Sequence, residues 1–137
     1  MQPNADIAEQ TVEKSFLIIQ STKSYNKALK KAQLACNKLG ITLNLRNLYA
    51  DKEKGLTTNE VCGCGEKHGY LPRGRFDDGK FISIEYSSAY KGFTPGYYMV
   101  IVASGDREEL NTYLPKVKKH YKDAYIKNTS IYMGCMY

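Results

Sequence analysis

No apolar run in this chain approaches the roughly 20 residues that a membrane-spanning helix needs. A signal-peptide pattern is equally absent. In its place, Gln2-Pro3-Asn4-Ala5-Asp6 is a polar lead-in of the kind that opens a mature exported protein behind an added Met1. Export to the periplasm or cell envelope is the expectation. Histidine is scarce: only His68 and His120 are present, and no nucleophile, paired-carboxylate or phosphate-loop motif accompanies them. Cys-His catalysis would need Cys62 or Cys64 beside His120, and nothing in the sequence brings them together. The expectation is a protein that is not an enzyme and carries no cofactor. Tryptophan is missing altogether, whereas Tyr occurs 12 times. Tyrosine joins an apolar ring to a polar tip, which suits wet binding surfaces.

What is present is the composition of one globular domain. Hydrophobic residues at 42% and charged residues at 25% exclude wholesale disorder, and 137 residues suffice to bury a core. The net charge of +6 is spread over the lysine-rich stretches 14–54 and 116–127. Such a balance suits an acidic polymer or an anionic envelope surface, and equally serves solubility alone. Of the cysteines, Cys36 falls on the apolar side of a helix pattern and reads as a small buried hydrophobe. The even count of four, Cys36, Cys62, Cys64 and Cys135, permits one or two disulfides in an exported chain, and the sequence does not fix the pairing. Cys62-Gly63-Cys64 with His68 has zinc-ligand chemistry, but the spacing is tighter than the usual CxxC and a fourth ligand is not supplied locally. Disulfide or free-thiol cysteines are the better account, so no metal is expected.

A doubled pattern organises the chain. Phe16-Leu17-Ile18-Ile19-Gln20 is strand-like and leads into a helix whose apolar stripe is Ala28, Ala32, Ala35, Cys36 and Leu39. Lys27, Lys30, Lys31, Asn37 and Lys38 fall on its other side. Ser24 is placed to cap that helix and Gly40 to stop it. Tyr97 to Ala103 repeats the strand, and Leu110, Tyr113, Leu114, Val117 and Tyr121 form a second, bulkier stripe. Asp106 with Glu109 resembles a capping box, and Pro115 should kink or split the helix. Each helix leads to a further strand, at 41–48 and 124–127. Residues 1–14 read as a polar arm, 15–137 as one domain, and 51–78 as a long loop or insertion within it. Phe81 to Tyr86 is another strand candidate.

Strand-helix-strand used twice predicts an α+β sandwich with both helices on one face of an antiparallel sheet. In strands, alternate residues face opposite ways, which groups Phe16, Ile18 and Gln20 against Leu17 and Ile19. Tyrosines on the uncovered face can stack on sugar rings or bases, or they can complete the core.

At these residues the chain resembles the SPOR (sporulation-related) repeat family. Its members open each half with an aromatic strand and turn, followed by a small-residue helix ending in Gly. Phe16 to Gly40 has that shape. Ser88-x-Tyr90-x-Gly92-Phe93, Pro95 to Gly105, Asp106-Arg107-Glu108-Glu109 and Asp123-Ala124-Tyr125-Ile126-Lys127 resemble the second half more closely. Departures include Ser21 in place of a usual Gly, Leu110 near a usual Ala, and the central insertion. The resemblance implies a ferredoxin-like βαββαβ fold. It also implies binding of peptidoglycan glycan strands, or another envelope partner, on the open sheet face. On that reading Gln20, Thr22, Lys23, Tyr86, Tyr90, Ser104 and Arg107 are the expected contacts. The polar residues would meet sugar hydroxyls, the tyrosines sugar rings, and the cations a carboxylate. The alternatives are a single-stranded nucleic-acid module of the same topology, or a scaffold that captures a protein through the 51–78 loop.

Overall fold

The structure, a computed structural model, describes residues 11–58, 72–75 and 77–133. Strand β1 (Thr11–Thr22) leads to helix α1 (Tyr25–Leu39), then to the hairpin β2 (Leu48–Asp51) and β3 (Gly55–Thr58). Strand β4 (Ser83–Tyr86), a short 3-10 turn at Ser87–Ala89, strand β5 (Tyr98–Gly105), helix α2 (Arg107–Lys118) and strand β6 (Tyr125–Tyr132) follow. Four strands form one sheet in the order β4-β5-β1-β6, with every pair antiparallel. Two helices on a four-stranded antiparallel sheet make an α+β fold, compatible with a ferredoxin-like arrangement. No helix among the described residues is long and apolar enough to cross a membrane.

Local chemistry accounts for the helices. The Ser24 side chain accepts the Lys27 N–H at 3.3 Å, and Gly40 ends α1 in the left-handed region at φ 66°. Ala28, Ala32 and Ala35 are fully buried, so α1 sits close to the sheet. The second helix meets the same face through Leu110, Tyr113 and Val117. Asp106 occupies the cap position, but its side chain makes no capping bond, which corrects the capping-box expectation. Pro115 lies inside α2, which runs through to Lys118 without splitting, because the missing N–H removes one bond and the buried Leu110-Tyr113-Val117 stripe holds the rest.

Other boundaries shift. Residues 11–14 pair with β6 and belong to β1, so the expected polar arm is shorter. Residues 41–48 do not form a sheet strand; only Leu43 bridges to Ile82, and Leu48 starts the β2–β3 hairpin. That hairpin also takes over the first part of the expected loop. It is seated where the Tyr98 hydroxyl donates to the Gly55 carbonyl at 2.9 Å and the Tyr86 ring lies against Gly55. Cys62, Cys64, His68 and Cys135 lie outside the described residues.

The sheet is covered on both sides. On the helix side, Leu17, Ile19, Ile84, Val100, Val102 and Ala103 build the main core. On the other side, Phe16, Ile18, Met99, Ile101 and Ile131 are buried with Tyr90, and Phe93 packs against them. Phe16 meets Tyr90 edge-on with ring centroids 5.0 Å apart. The expectation of an open face is thereby corrected. Apolar residues in the sheet centre need cover from water, and the connection between β4 and β5 together with residues 72–75 supplies it.

Candidate ligand-binding cleft

Cover on that second face is held by buried charge. Arg73, fully buried, donates from Nε to Ser104 Oγ at 2.9 Å and from its terminal nitrogens to Ser83 Oγ, the Ile101 carbonyl and the Gly79 carbonyl at 2.9–3.0 Å. Its backbone N–H donates to the Tyr90 hydroxyl at 2.7 Å, and that hydroxyl donates onward to Glu85 at 3.0 Å. Glu85, also fully buried, takes Arg46 through two bonds of 2.6 and 3.1 Å, and Arg46 reaches Asp77 at 3.1 Å. Burial pulls the Arg73 guanidinium down to about 10, against the opposing pull of Glu85 and Asp77. Two cations and two anions thus close a balanced network that pins residues 72–75 and 77–79 to the sheet.

Beyond this seal the same face opens at one rim. A cleft of about 250 Å³ is lined by Ser21, Ser87, Phe93, Thr94, Tyr97, Met99, Tyr125 and Lys127. Its wall is the β4–β5 connection. Ser87 Oγ accepts the Tyr97 N–H at 2.8 Å, the Ser87 N–H donates to the Tyr97 carbonyl at 2.8 Å, and Ser88 Oγ accepts the Gly96 N–H at 2.9 Å. These bonds close the loop on itself and fix the Phe93 and Tyr97 rings at the mouth. Lys127 Nζ lies 4.7 Å from the Phe93 ring centre, and Lys23 Nζ lies 5.6 Å from that of Tyr97. Tyr125 is 42% exposed, so one ring faces solvent with cations nearby. Rings, hydroxyls and ammonium groups in one cleft can stack on a flat apolar ligand face and bond its polar rim.

The seven expected contacts are not brought together. Thr22 accepts the Ser24 N–H at 3.2 Å and pairs with Tyr98, close to the cleft together with the exposed Lys23. Tyr86 packs on Tyr98, with ring centroids 5.0 Å apart, beneath the hairpin. Tyr90 and Ser104 are buried parts of the Arg73 network and offer no surface to a ligand. Arg107 is exposed and donates to Asn128 at 2.8 Å, at the opposite end of β5 from Tyr98. Gln20 is displaced by an irregularity in the pairing. Leu17 faces Ala103 and Ile18 faces Ile101, which leaves Val102 extra on β5; Gln20 then faces Val100, which leaves Ile19 extra on β1. A bulge re-aims the side chains after it. Gln20 therefore turns to the helix side, beside Lys27, Lys30, Lys31 and Leu34, while Ser21 reaches the cleft.

Sequence reasoning passed over Phe93, Tyr97, Tyr125 and Lys127 as a group. Their only advance signal was tyrosine abundance, since their convergence depends on the β4–β5 connection folding back. Among the described residues, no group of His, Cys, Asp and Glu can hold a metal ion. No family model, curated protein or solved structure matches the chain.

Proposed function

We propose that this chain is a non-catalytic, exported module of the bacterial cell envelope that binds a glycan strand. Its fold is read as a ferredoxin-like βαββαβ domain of the SPOR kind, with the β2–β3 hairpin and the residues after it as a central insertion. The observation that carries the reading is the rim cleft. Phe93, Tyr97 and Tyr125 offer ring faces, Ser21 and Thr94 offer hydroxyls, and Lys127 offers a cation to a carboxylate on the glycan. The binding site moves from the centre of the sheet to its rim, because the centre is occupied by Tyr90 and Arg73. The nucleic-acid alternative has less support for the same reason: the central face on which bases would stack is filled.

Binding to purified cell-wall sacculi, with and without amidase pretreatment, tests the reading. Replacing Tyr97, Tyr125 and Lys127 together by Ala removes two ring faces and the cation from surface positions. Stacking contributes about 1–3 kcal/mol per ring, so retention on sacculi should fall at least tenfold with an unchanged melting curve. Wild-type protein that ignores both sacculus preparations, or a folded triple variant that binds as well as wild type, would refute glycan binding in this cleft.

A further inference from the structure

We propose a second surface, independent of the cleft: the lysine-bearing flank of α1 docks on an anionic phospholipid bilayer. Helix α1 contains Lys27, Lys30, Lys31 and Lys38 and no acidic residue. Lys30 and Lys31 stand three or four residues from both Lys27 and Leu34, and Lys38 four beyond Leu34, so these lysines and Leu34 share one flank. Like charges at that spacing repel and weaken a helix, and among the described residues no carboxylate pairs with Lys27, Lys30 or Lys31. Lys31 lies over the Tyr121 ring at 5.4 Å, and the positive charge of the flank is uncompensated by any of these ion pairs.

The flank has shape as well as charge. Gln20, Lys27, Lys30, Lys31 and Leu34 line a shallow depression of about 230 Å³. At its edge Leu34 is 51% exposed, the most exposed of the large apolar side chains. At its base the Gln20 Oε1 is buried with no hydrogen-bond partner among the described residues, a lone acceptor placed there by the β1 bulge. Lysine stems can lie along the apolar acyl boundary with their ammonium groups among lipid phosphates, while Leu34 enters it. A headgroup with hydroxyl donors beside its phosphate, as in phosphatidylglycerol, complements both the lysines and Gln20. These lining residues include no aromatic ring for base stacking and no arginine fork, which favours lipid over nucleic acid.

With a single exposed Leu the attachment is mainly electrostatic, hence reversible and weakened by salt. Each lysine near an anionic surface is worth roughly fivefold in affinity, so three are worth on the order of 100-fold. The test is flotation of the full chain with phosphatidylglycerol vesicles and with phosphatidylcholine vesicles at low and high salt. Binding to the first only, reversed by salt, is expected. K27Q/K30Q/K31Q should lose on the order of 100-fold, and K27R/K30R/K31R should bind as wild type, which separates charge from folding damage. L34S should bind several-fold more weakly. Equal binding to both lipids, undiminished binding by the Gln variant, or loss in the Arg variant would overturn the proposal. So would single-stranded DNA that displaces the protein from phosphatidylglycerol at equal charge concentration. None of these results depends on whether the cleft takes a sugar.

Discussion

At the scale of single residues, Arg73 and Glu85 decide how the second face of the sheet is closed. Tyr90 joins them, its hydroxyl accepting the Arg73 N–H and donating to Glu85. Removing one member of a buried charged set leaves the others desolvated and uncompensated, at a cost of about 3–5 kcal/mol. Glu85→Ala should therefore lower the urea unfolding free energy by about that amount, since it takes the buried carboxylate from Arg46 and from the Tyr90 hydroxyl at once. A change under ~1 kcal/mol would mean that water replaces the carboxylate and that the network is a minor part of the closure. None of this was legible in the sequence. Arg73 stands in a glycine-rich stretch without periodicity, and its partners Ser83, Ser104 and Gly79 come from three separate segments. Glu85 looked like one polar position in an otherwise ordinary strand. Chemistry of this kind is set by tertiary convergence, which no local pattern records.

Among the elements, those with strong local signals were legible and those held by contact were not. Helix α1 was readable because its alanine stripe, Ser24 cap and Gly40 stop all act within one stretch of chain. The strands of β1 and β5 were readable from continuous apolar runs, although the face of Gln20 was misassigned, because it lies past the bulges. The β2–β3 hairpin was missed because its short strands carry little apolar pattern and depend on the Tyr86 and Tyr98 rings of the neighbouring strands. Gly55 is the point of dependence. It has φ +82°, and a Cβ there would stand 2.4 Å from the Tyr86 ring. Gly55→Ala should destabilise the domain by more than ~1 kcal/mol, through both the left-handed backbone and the clash. Combining it with Tyr86→Ala relieves only the clash, so a double-mutant cycle should recover part of the loss. Strictly additive effects would show that the ring contact contributes nothing to the seating of the hairpin.

For the molecule as a whole, the abundance of tyrosine also sets behaviour at high pH. Burial raises the hydroxyl pKa of Tyr25, Tyr98, Tyr113 and Tyr121 above 10.0. Below the unfolded value the groups are neutral in both states; above it the unfolded chain ionises first, so stability falls as pH rises through and beyond 10. Arg73 acts in the opposite sense, because its lowered folded value makes the native state shed a proton from about 10 upward, before the unfolded chain does. The tyrosine contribution to stability is lost across this interval, and tyrosinate absorbance should show a delayed class released with unfolding. A tyrosine titration of the folded protein with no delayed class would contradict the burial of these hydroxyls. The paired irregularities in β1 and β5 have a consequence for the chain's length. One extra residue on each strand keeps the register, so Leu17 and Gln20 still oppose Ala103 and Val100, while both strands stay turned over beyond the bulges. Deleting Ile19 or Val102 removes only the unpaired residue of its own bulge, so the flanking pairs and their faces survive and the loss is that of one buried side chain. Deleting a paired residue of either strand instead turns every side chain beyond it to the opposite face, so these two positions are where each strand can shorten without exchanging cleft for core.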